Sequence, residues 1–202
     1  MDRISYLHDK VLSKILSFLP TKDVMRTMLL SKRFKSLWIS LPRLEFDELS
    51  HIPDLGFWGS QDPDYGRFRR FVDRSLMSRE GLVLRSLHLK LGRHCTGDDI
   101  EIWVRTAVKR GLMELKVQYD CCYYKQCLFP KRLHTCETLV VLNLENGFLD
   151  VPELVSLSSL KTLTLKSLKY SNENALDRLL PNCPVHKRKF VTIRHSRWFS
   201  RL

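Results

Sequence analysis

Long apolar runs are missing from this sequence of 202 residues. A membrane-spanning helix needs about 20 consecutive apolar residues, whereas the longest apolar runs here are only a few residues, such as residues 139–142. No apolar stretch follows Met1, so the pattern of a secretory signal peptide is absent as well. We therefore expect a protein of the cell interior, in the nucleus, the cytoplasm or both, without a membrane partner.

Recognisable catalytic motifs are also absent. The sequence contains no Walker loop for nucleotide phosphates, no HExxH zinc motif and no GxSxG nucleophile elbow. Its seven histidines are scattered without paired carboxylates. The sequence therefore predicts a protein that is not an enzyme and that has neither a catalytic site nor a cofactor.

The six cysteines do not have the spacing of a metal site. A zinc set can be drawn from His94, Cys95, Cys121, Cys122 and Cys127, but the paired C-x2-C of many structural zinc sites is missing. In a reducing compartment, cysteines are usually small buried side chains. We expect neither a bound metal nor disulfide bonds.

Positive charge is in excess, which can indicate nucleic-acid binding. Residues 186–202 carry six Lys or Arg and no acid, which is half of the net charge of +12. We interpret this segment as a solvated basic tail. Nuclear localisation and weak nucleic-acid binding are the alternatives for it.

The first forty residues predict three short helices. Apolar residues at helical spacing run from Asp9, a candidate cap, to Leu19, and Pro20 ends the run. Thr21 is a candidate cap for a second helix and Ser31 for a third. Helices this short are marginal alone, and they carry more apolar residues than they can bury among themselves. Part of this apolar surface should therefore contact another protein.

The motifs of this segment resemble a known family. Residues 2–5, 15–23 and 30–34, followed by Leu37 and Trp38, are similar to the F-box of the large plant family of F-box/leucine-rich-repeat proteins. The resemblance implies docking to a Skp-type adaptor, which links an F-box to a cullin-RING ubiquitin ligase. Carried over position by position, it also implies a docking surface made of Leu7, Leu12, Ile15, Leu16, Leu19, Pro20, Val24, Leu29, Leu30 and Trp38.

Two positions depart from the family pattern. His8 follows Leu7 where the family has proline, and Lys10 stands where it usually has an acidic residue. Because the Leu-Pro pair belongs to the docking edge, a ligase-independent scaffold or a degenerate F-box is the alternative function. A DNA-binding helix-turn-helix is a further alternative, but its recognition helix would have no Asn or Gln to read base edges.

A Leu-x-x-Leu-x-Leu pattern, once with Val in the last place, starts at Leu84, Leu112, Leu139 and Leu160. The starts are 28, 27 and 21 residues apart, which is the period of leucine-rich repeats. Each such unit provides one strand and stacks its leucines on its neighbours. A doubly wound α/β domain is the alternative, but its strands are usually continuous β-branched runs.

Helices are predicted between these strands. Asp98 or Asp99 can cap one that Gly111 ends, and Asn172 can cap another ahead of Pro181. The fold class is therefore α+β or α/β, with an N-terminal three-helix F-box followed by a short solenoid of parallel strands alternating with helices. The resulting division of the chain is a helical module (1–48), a linker with a capping helix (49–80), leucine-rich repeats (81–185) and a basic tail (186–202).

Polar residues alternate with the leucines of the predicted strands and should share the concave face of the solenoid. The candidate target-binding residues are Ser86, His88, Lys90, Glu114, Lys116, Gln118, Val141, Asn143, Glu145, Thr162, Thr164 and Lys166. Their mixed chemistry identifies no target protein, and a merely solvated face is the alternative.

The repeat array is expected to stop early. After Val185 the family pattern would give another leucine-rich strand, but residues 186–189 are basic, unless Phe190, Val191 and Ile193 supply a strand. We expect a truncated family member without further repeats or the C-terminal FBD region that many members carry. Its last strand should then have an exposed edge.

Overall fold

Three short helices precede a sheet of parallel strands that are joined by helices and turns. The predicted fold class, a helical module followed by a leucine-rich-repeat solenoid, is confirmed. The structure is a computed structural model, and it describes residues 4, 6–48, 64–79, 82–92, 95–120, 128–171, 174–181 and 188–192.

The helical module contains α1 (Asp9–Leu16), α2 (Thr21–Thr27) and α3 (Lys32–Ser40). Both α1 and α2 pack against α3. Ser31 caps α3 as predicted, because its side-chain oxygen accepts a hydrogen bond from the Phe34 N–H at 3.4 Å. This bond satisfies one of the N–H groups that a helix start leaves without an intrahelical partner.

The first helix differs from the prediction at both ends. Its cap is His8 and not Asp9, since His8 Nδ1 accepts a hydrogen bond from the Lys10 N–H at 3.3 Å. It ends at Leu16 and not at Leu19. The Phe18 and Leu19 N–H groups donate to carbonyls three residues back, which tightens the chain into a 3-10-like turn.

Thr21 does not cap α2, contrary to the prediction. It is buried in the first turn of that helix, and its hydroxyl oxygen accepts a hydrogen bond from the Glu45 N–H at 2.7 Å. Glu45 lies in the first strand of the sheet. The threonine therefore joins the helical module to the solenoid.

Six strands form one parallel sheet in the order β1-β2-β3-β4-β6-β8, and β5 pairs with β7 in a second, two-stranded sheet. In the large sheet Leu87, Leu115, Leu142 and Leu163 are in register, and each is 0 to 2% exposed. The predicted inward leucines therefore form the core. The strands are β1 (Arg43–Asp47), β2 (Ser86–Leu91), β3 (Glu114–Tyr119), β4 (Val141–Glu145), β5 (Phe148–Leu149), β6 (Thr162–Lys166), β7 (Lys169–Tyr170) and β8 (Arg188–Thr192).

The first strand was not predicted. It carries the same spacing as the repeats, in Leu41, Leu44 and Phe46, and Leu44 pairs with Leu87 of β2. The pattern is hidden because Leu41 precedes Leu84 by 43 residues, which exceeds the repeat period. The sheet thus begins inside the segment that was assigned to the helical module.

The expected end of the array at β6 is wrong, because β8 pairs with β6 along its whole length. The alternative, a further strand, is right for Phe190 and Val191, which lie in β8, while Ile193 falls outside the described residues. Parallel pairing uses the backbone N–H and C=O groups, which every residue except proline provides. The two adjacent basic residues at its start, Arg188 and Lys189, therefore do not prevent the strand. The predicted basic tail contributes a sixth strand to the sheet.

The helix between β2 and β3 is α5 (Gly97–Val108), and Thr96 caps it in place of the predicted Asp98 or Asp99. Thr96 and Asp99 form a reciprocal capping box, in which each side chain accepts a hydrogen bond from the other residue's N–H at 3.3 Å. Gly111 ends this segment as predicted and has a positive φ of 78°. Glycine adopts this conformation without the steric cost that a Cβ brings.

Two other helices complete the described fold, α4 (Asp64–Met77) and α6 (Ala175–Leu179). The α4 helix packs on β1 through Phe71, whose ring lies 5.1 Å from that of Phe46. It packs on α5 through Phe68, whose ring lies 6.0 Å from that of Trp103. The capping helix of the prediction thus lies at the start of the sheet. A short 3-10 helix (Lys131–Thr135) precedes β4.

Several predicted features fall outside the described residues. They include the proposed cap Asn172 and all members of the zinc set except Cys95, which is buried. In the described part of the chain, no group of three or more side chains is arranged to hold a metal. No helix in that part has the length and apolar character needed to cross a bilayer.

Candidate functional site

The helical module exposes many large apolar side chains. Phe18 is 74% exposed, Leu30 69% and Leu29 63%. Folded monomers rarely expose apolar side chains in such numbers unless a partner covers them. We define the exposed apolar set as Val11, Ile15, Phe18, Leu19, Leu29 and Leu30.

The predicted docking residues divide into two groups. Leu12, Leu16, Val24 and Trp38 are only 1 to 3% exposed, so they pack the module internally and are not accessible to a partner. Leu7 is half-buried against the same core. The remaining predicted residues are Ile15, Leu19, Pro20, Leu29 and Leu30, and all of them are exposed.

Sequence reasoning missed Val11 and Phe18 as surface residues. They occupy positions i and i+7 relative to each other, with Ile15 at i+4, so all three belong to one side of α1 and its continuation. Lys14 Nζ lies 4.9 Å from the centre of the Phe18 ring, which is a cation–π contact. The spacing groups these three residues on one side of the helix, but it does not show that this side is the exposed one.

A pocket of about 240 Å³ opens where the helical module meets the sheet. Its walls come from residues 16–21, from Val24 and Trp38, and from residues 41–43 with Glu45. The pocket therefore continues the exposed apolar set at Phe18 and Leu19 towards β1. A partner that docks on the module can also contact the start of the solenoid.

Arg79 fixes the helical module to the solenoid. It is 1% exposed, and its guanidinium donates hydrogen bonds to the carbonyls of Trp38, Ile39 and Leu41, at 2.5 Å for Trp38 and 2.9 Å for Ile39. These carbonyls form the negative end of α3, where a cation is stabilising. Burial and the nearby Arg110 lower the pKa of Arg79 to about 10, so the side chain stays charged at neutral pH.

Arg33 of α3 connects this helix to the start of α1. Its guanidinium donates to the Asp9 carboxylate at 2.7 Å and also to the Leu7 carbonyl. Asp9 lies in the first turn of α1, where a carboxylate is favoured by the helix dipole. The bond therefore holds the start of α1 against α3.

The predicted target-binding residues lie in register across β2, β3, β4 and β6. Ser86 and His88 are 6 and 7% exposed. These two side chains are therefore buried beneath the face and are not accessible to a partner, contrary to the prediction. The charged side chains of Arg43 and Glu114 lie within 3.3 Å of them. Three rows run across the sheet, made of Ser86, Glu114, Val141 and Thr162, of His88, Lys116, Asn143 and Thr164, and of Lys90, Gln118, Glu145 and Lys166.

A compact polar cluster occupies the β2–β3 part of this face. His88 Nε2 lies 3.0 Å from Glu114 Oε1 and 3.1 Å from Ser86 Oγ, and its Nδ1 lies 3.3 Å from Arg43. Burial, together with Lys116, lowers the pKa of His88. Burial raises the pKa of Glu114, but hydrogen bonds from Lys116 and His88 outweigh it and the net shift is downward. The cluster thus holds an ionised carboxylate beside a neutral imidazole.

This cluster does not have the geometry of a nucleophilic triad. In a triad the serine and the acid bond opposite nitrogens of the imidazole, so that the acid orients the ring while the other nitrogen takes the serine proton. Here Ser86 and Glu114 both approach Nε2, and a guanidinium faces Nδ1. The arrangement is a structural hydrogen-bond network on the sheet.

Charge pairing divides the strand face into two halves. Lys90 lies 3.7 Å from Glu45 and 3.5 Å from Asp47, and Lys116 lies 2.7 Å from Glu114. The β1–β3 half is therefore largely neutralised by its own ion pairs. The β4–β6 half presents the uncharged Val141, Asn143, Thr162 and Thr164, with charge only in the last row, at Glu145 and Lys166. A shallow pocket of about 90 Å³ lies where the halves meet.

Both parts of the chain match known protein families. A model of the F-box domain matches residues 4–46. A model described as the LRR repeats of FBD-associated F-box protein At5g56370 matches residues 100–198. No solved structure matches the chain.

Curated proteins of Arabidopsis thaliana are similar to nearly the whole chain. FBD-associated F-box protein At5g56380 is 64% identical over 95% of this chain and 43% of its own length. FBD-associated F-box protein At5g56370 is 44% identical over 92% of this chain and 42% of its own length. F-box protein At4g09920 is 42% identical over 96% of this chain and 59% of its own length. The chain spans about half the length of the curated relatives that it matches.

Proposed function

Because the chain belongs to the plant family of F-box/leucine-rich-repeat proteins, we propose that it is a substrate-recognition adaptor of an SCF-type (Skp, cullin, F-box) E3 ubiquitin ligase. The helical module docks a Skp-type adaptor and, through it, a cullin-RING ligase. The strand face binds a target protein. The observation that carries this proposal is the exposed apolar set, which lies within the segment that matches the F-box domain.

The chain itself has no catalytic role in this proposal, as is general for F-box proteins. Ubiquitin transfer belongs to other subunits, and the adaptor raises the effective concentration of the target beside them. Such an effect depends on a defined distance between the docked ligase and the bound target. The buried Arg79 contacts support this requirement, because they hold the module and the solenoid in one orientation.

A scaffold that is independent of the ligase was the alternative suggested by His8. The backbone of His8 has φ of −68° and ψ of 147°, and proline fixes φ at about −65°. The histidine therefore keeps the backbone conformation that the family's proline would impose at the docking edge. This favours docking over the scaffold alternative.

Co-expression with a Skp-type adaptor and co-purification tests the proposal. We expect wild-type protein to co-purify, and a Phe18→Asp, Leu30→Asp variant to lose more than about 100-fold in affinity, because two carboxylates would be buried in an apolar interface. A Met77→Asp, Leu154→Asp variant is the matched control. Its two side chains are 70 and 73% exposed, against 74 and 69% for Phe18 and Leu30.

The control variant should bind like the wild type. Loss of binding in both variants would point to a general effect of added acid and would contradict docking through the exposed apolar set. No binding by the wild-type chain would contradict the adaptor function and favour the scaffold. Circular dichroism of all three proteins checks that the variants fold.

A further inference from the structure

The two acidic residues of the three-helix part of the module, residues 8–41, are already paired. Asp9 lies 2.7 Å from Arg33, and Asp23 lies 3.1 Å from Arg26. Residues 8–41 contain no other Asp or Glu. Both carboxylates of residues 8–41 are thus paired with arginines, and no other acid of this segment is available to pair with its lysines.

Five lysines of the module make no ion pair within the described residues. They are Lys10, Lys14, Lys22, Lys32 and Lys35. Lys22 is half-exposed and the other four are exposed. The module therefore carries a concentrated positive field beside its exposed apolar set.

The lysines alternate with the exposed apolar residues. Lys10 precedes Val11, Lys14 stacks on the Phe18 ring, and Lys32 follows Leu30 by two positions. Lys10 also lies in the first turn of α1, where the helix dipole disfavours a cation. Within the described residues its charge makes no ion pair, so an external partner is the physical reason we assign to it.

We propose that the exposed apolar set is covered by a protein face with an apolar centre and a rim of Asp and Glu, and that the five lysines steer this face during association. The inference rests on the proposed function, since the Skp-type adaptor is the partner that would carry this face. Exposed charges of opposite sign mainly raise the rate of encounter. The apolar contacts, which form after encounter, then determine how long the complex lasts.

A nucleic acid is a less suitable occupant for this surface. Phosphates would satisfy the lysines, but they would leave Ile15, Leu29 and Leu30 in water, where aliphatic side chains give no base stacking. A protein face satisfies both the cations and the apolar side chains. Nucleic-acid binding by the same lysines is therefore one of the outcomes that the test must separate.

Association kinetics with a purified Skp-type adaptor test the inference. The first variant carries Lys10→Gln, Lys22→Gln, Lys32→Gln and Lys35→Gln, and it keeps Lys14 because that side chain packs on Phe18. The matched control carries Lys109→Gln, Arg132→Gln, Lys161→Gln and Lys169→Gln, four exposed basic residues outside both the module and the strand face. Both variants lose the same formal charge. Rates are measured from about 50 mM to about 500 mM salt, which shortens the Debye length severalfold.

At low salt we expect the module variant to associate about tenfold more slowly than wild type, with a dissociation rate within about twofold. The control should associate like wild type, and high salt should remove the difference in association rate between the module variant and wild type.

Equal slowing of both variants, or an effect confined to the dissociation rate, would overturn the inference. So would displacement of the adaptor by single-stranded RNA from wild type and control but not from the module variant. Absence of wild-type binding would instead overturn the proposed function itself, before any variant is compared.

Discussion

Arg79 of the segment after α4 stacks on Trp38 of α3, with its guanidinium carbon 4.4 Å from the ring centre. The same guanidinium donates to three carbonyls at the end of α3. One side chain therefore makes both a cation–π contact and a helix-terminal cap. Together with the hydrogen bond between Thr21 and Glu45, Arg79 connects the helical module rigidly to the solenoid.

Replacing Arg79 should destabilise the whole protein. Arg79→Met leaves three carbonyls without their charged donor, and we expect a loss of about 3 kcal/mol in the free energy of unfolding. The matched control is Arg85→Met at an exposed arginine, which should change stability by less than about 0.5 kcal/mol. Urea unfolding measures both. Equal unfolding midpoints for the two variants would show that Arg79 does not hold the module.

His134 should make the protein less stable in acid. It is 1% exposed, and burial lowers its pKa to about 4, although the nearby Asp150 acts in the opposite sense. An unfolded histidine has a pKa of about 6.5, so between about pH 6.5 and pH 4 the unfolded chain binds a proton that the folded chain does not. Stability should therefore fall by up to about 3 kcal/mol over this range.

A His134→Leu variant isolates this effect. The difference in unfolding free energy between wild type and variant should be constant above about pH 7 and should grow in favour of the variant as the pH falls to about 4. Urea titrations at several pH values give this difference. A difference that does not change with pH would mean that His134 is not a neutral buried histidine.

Ser167 adopts a backbone conformation that suits glycine better. Its φ is 50°, in the left-handed region, at the turn between β6 and β7. Ser167→Gly should stabilise the protein by about 0.5 to 1 kcal/mol, because it relieves the clash of the Cβ. Thermal unfolding measures the gain.

Asn146 is the control for this substitution. Its φ is 58°, at the corresponding turn after β4, and its side-chain amide donates to the Tyr119 carbonyl at 2.9 Å. Asn146→Gly loses that bond and should show no gain in stability. A gain from both substitutions, or from neither, would contradict this explanation of the two turns.

Removing β8 should expose the edge of β6. Deletion of residues 186–202 makes β6 the edge strand in place of β8. We expect the protein to self-associate, because β8 carries two adjacent charged residues, Arg188 and Lys189, whereas β6 carries only Lys166, and charged residues discourage pairing at a strand edge. Deletion of residues 193–202 keeps the strand and should leave the protein as it was. Light scattering at equal concentration compares them. Equal scattering from both deletions would contradict the role of β8 as an edge strand.

The sequence predicts the solenoid because its inward positions are almost all leucine. A period of two along each strand and a repeat of 21 to 28 residues together identify Leu87, Leu115, Leu142 and Leu163 as neighbours. No such repetition marks β8, where only Phe190, Val191 and Ile193 favour a strand. Three apolar residues after a basic run are too weak a pattern to predict the pairing with β6 from one sequence.

The candidate docking surface is only partly predictable for a different reason. Both sides of α1 carry apolar residues, so spacing alone does not tell Leu12 and Leu16, which are buried, from Val11 and Ile15, which are exposed. That distinction depends on how the helix is rotated against α3. Caps are ambiguous in the same way, because Thr96 and Asp99 are both capping residue types and the local backbone decides between them.

Hydrogen–deuterium exchange, with and without a purified Skp-type adaptor, shows where the adaptor binds. We expect the adaptor to slow exchange in residues 9–19 and 28–34, which carry the exposed apolar set with Lys10, Lys14 and Lys32, and to leave β4 and β6 unchanged. Slowed exchange on the strand face with none in the helical module would contradict docking through the exposed apolar set.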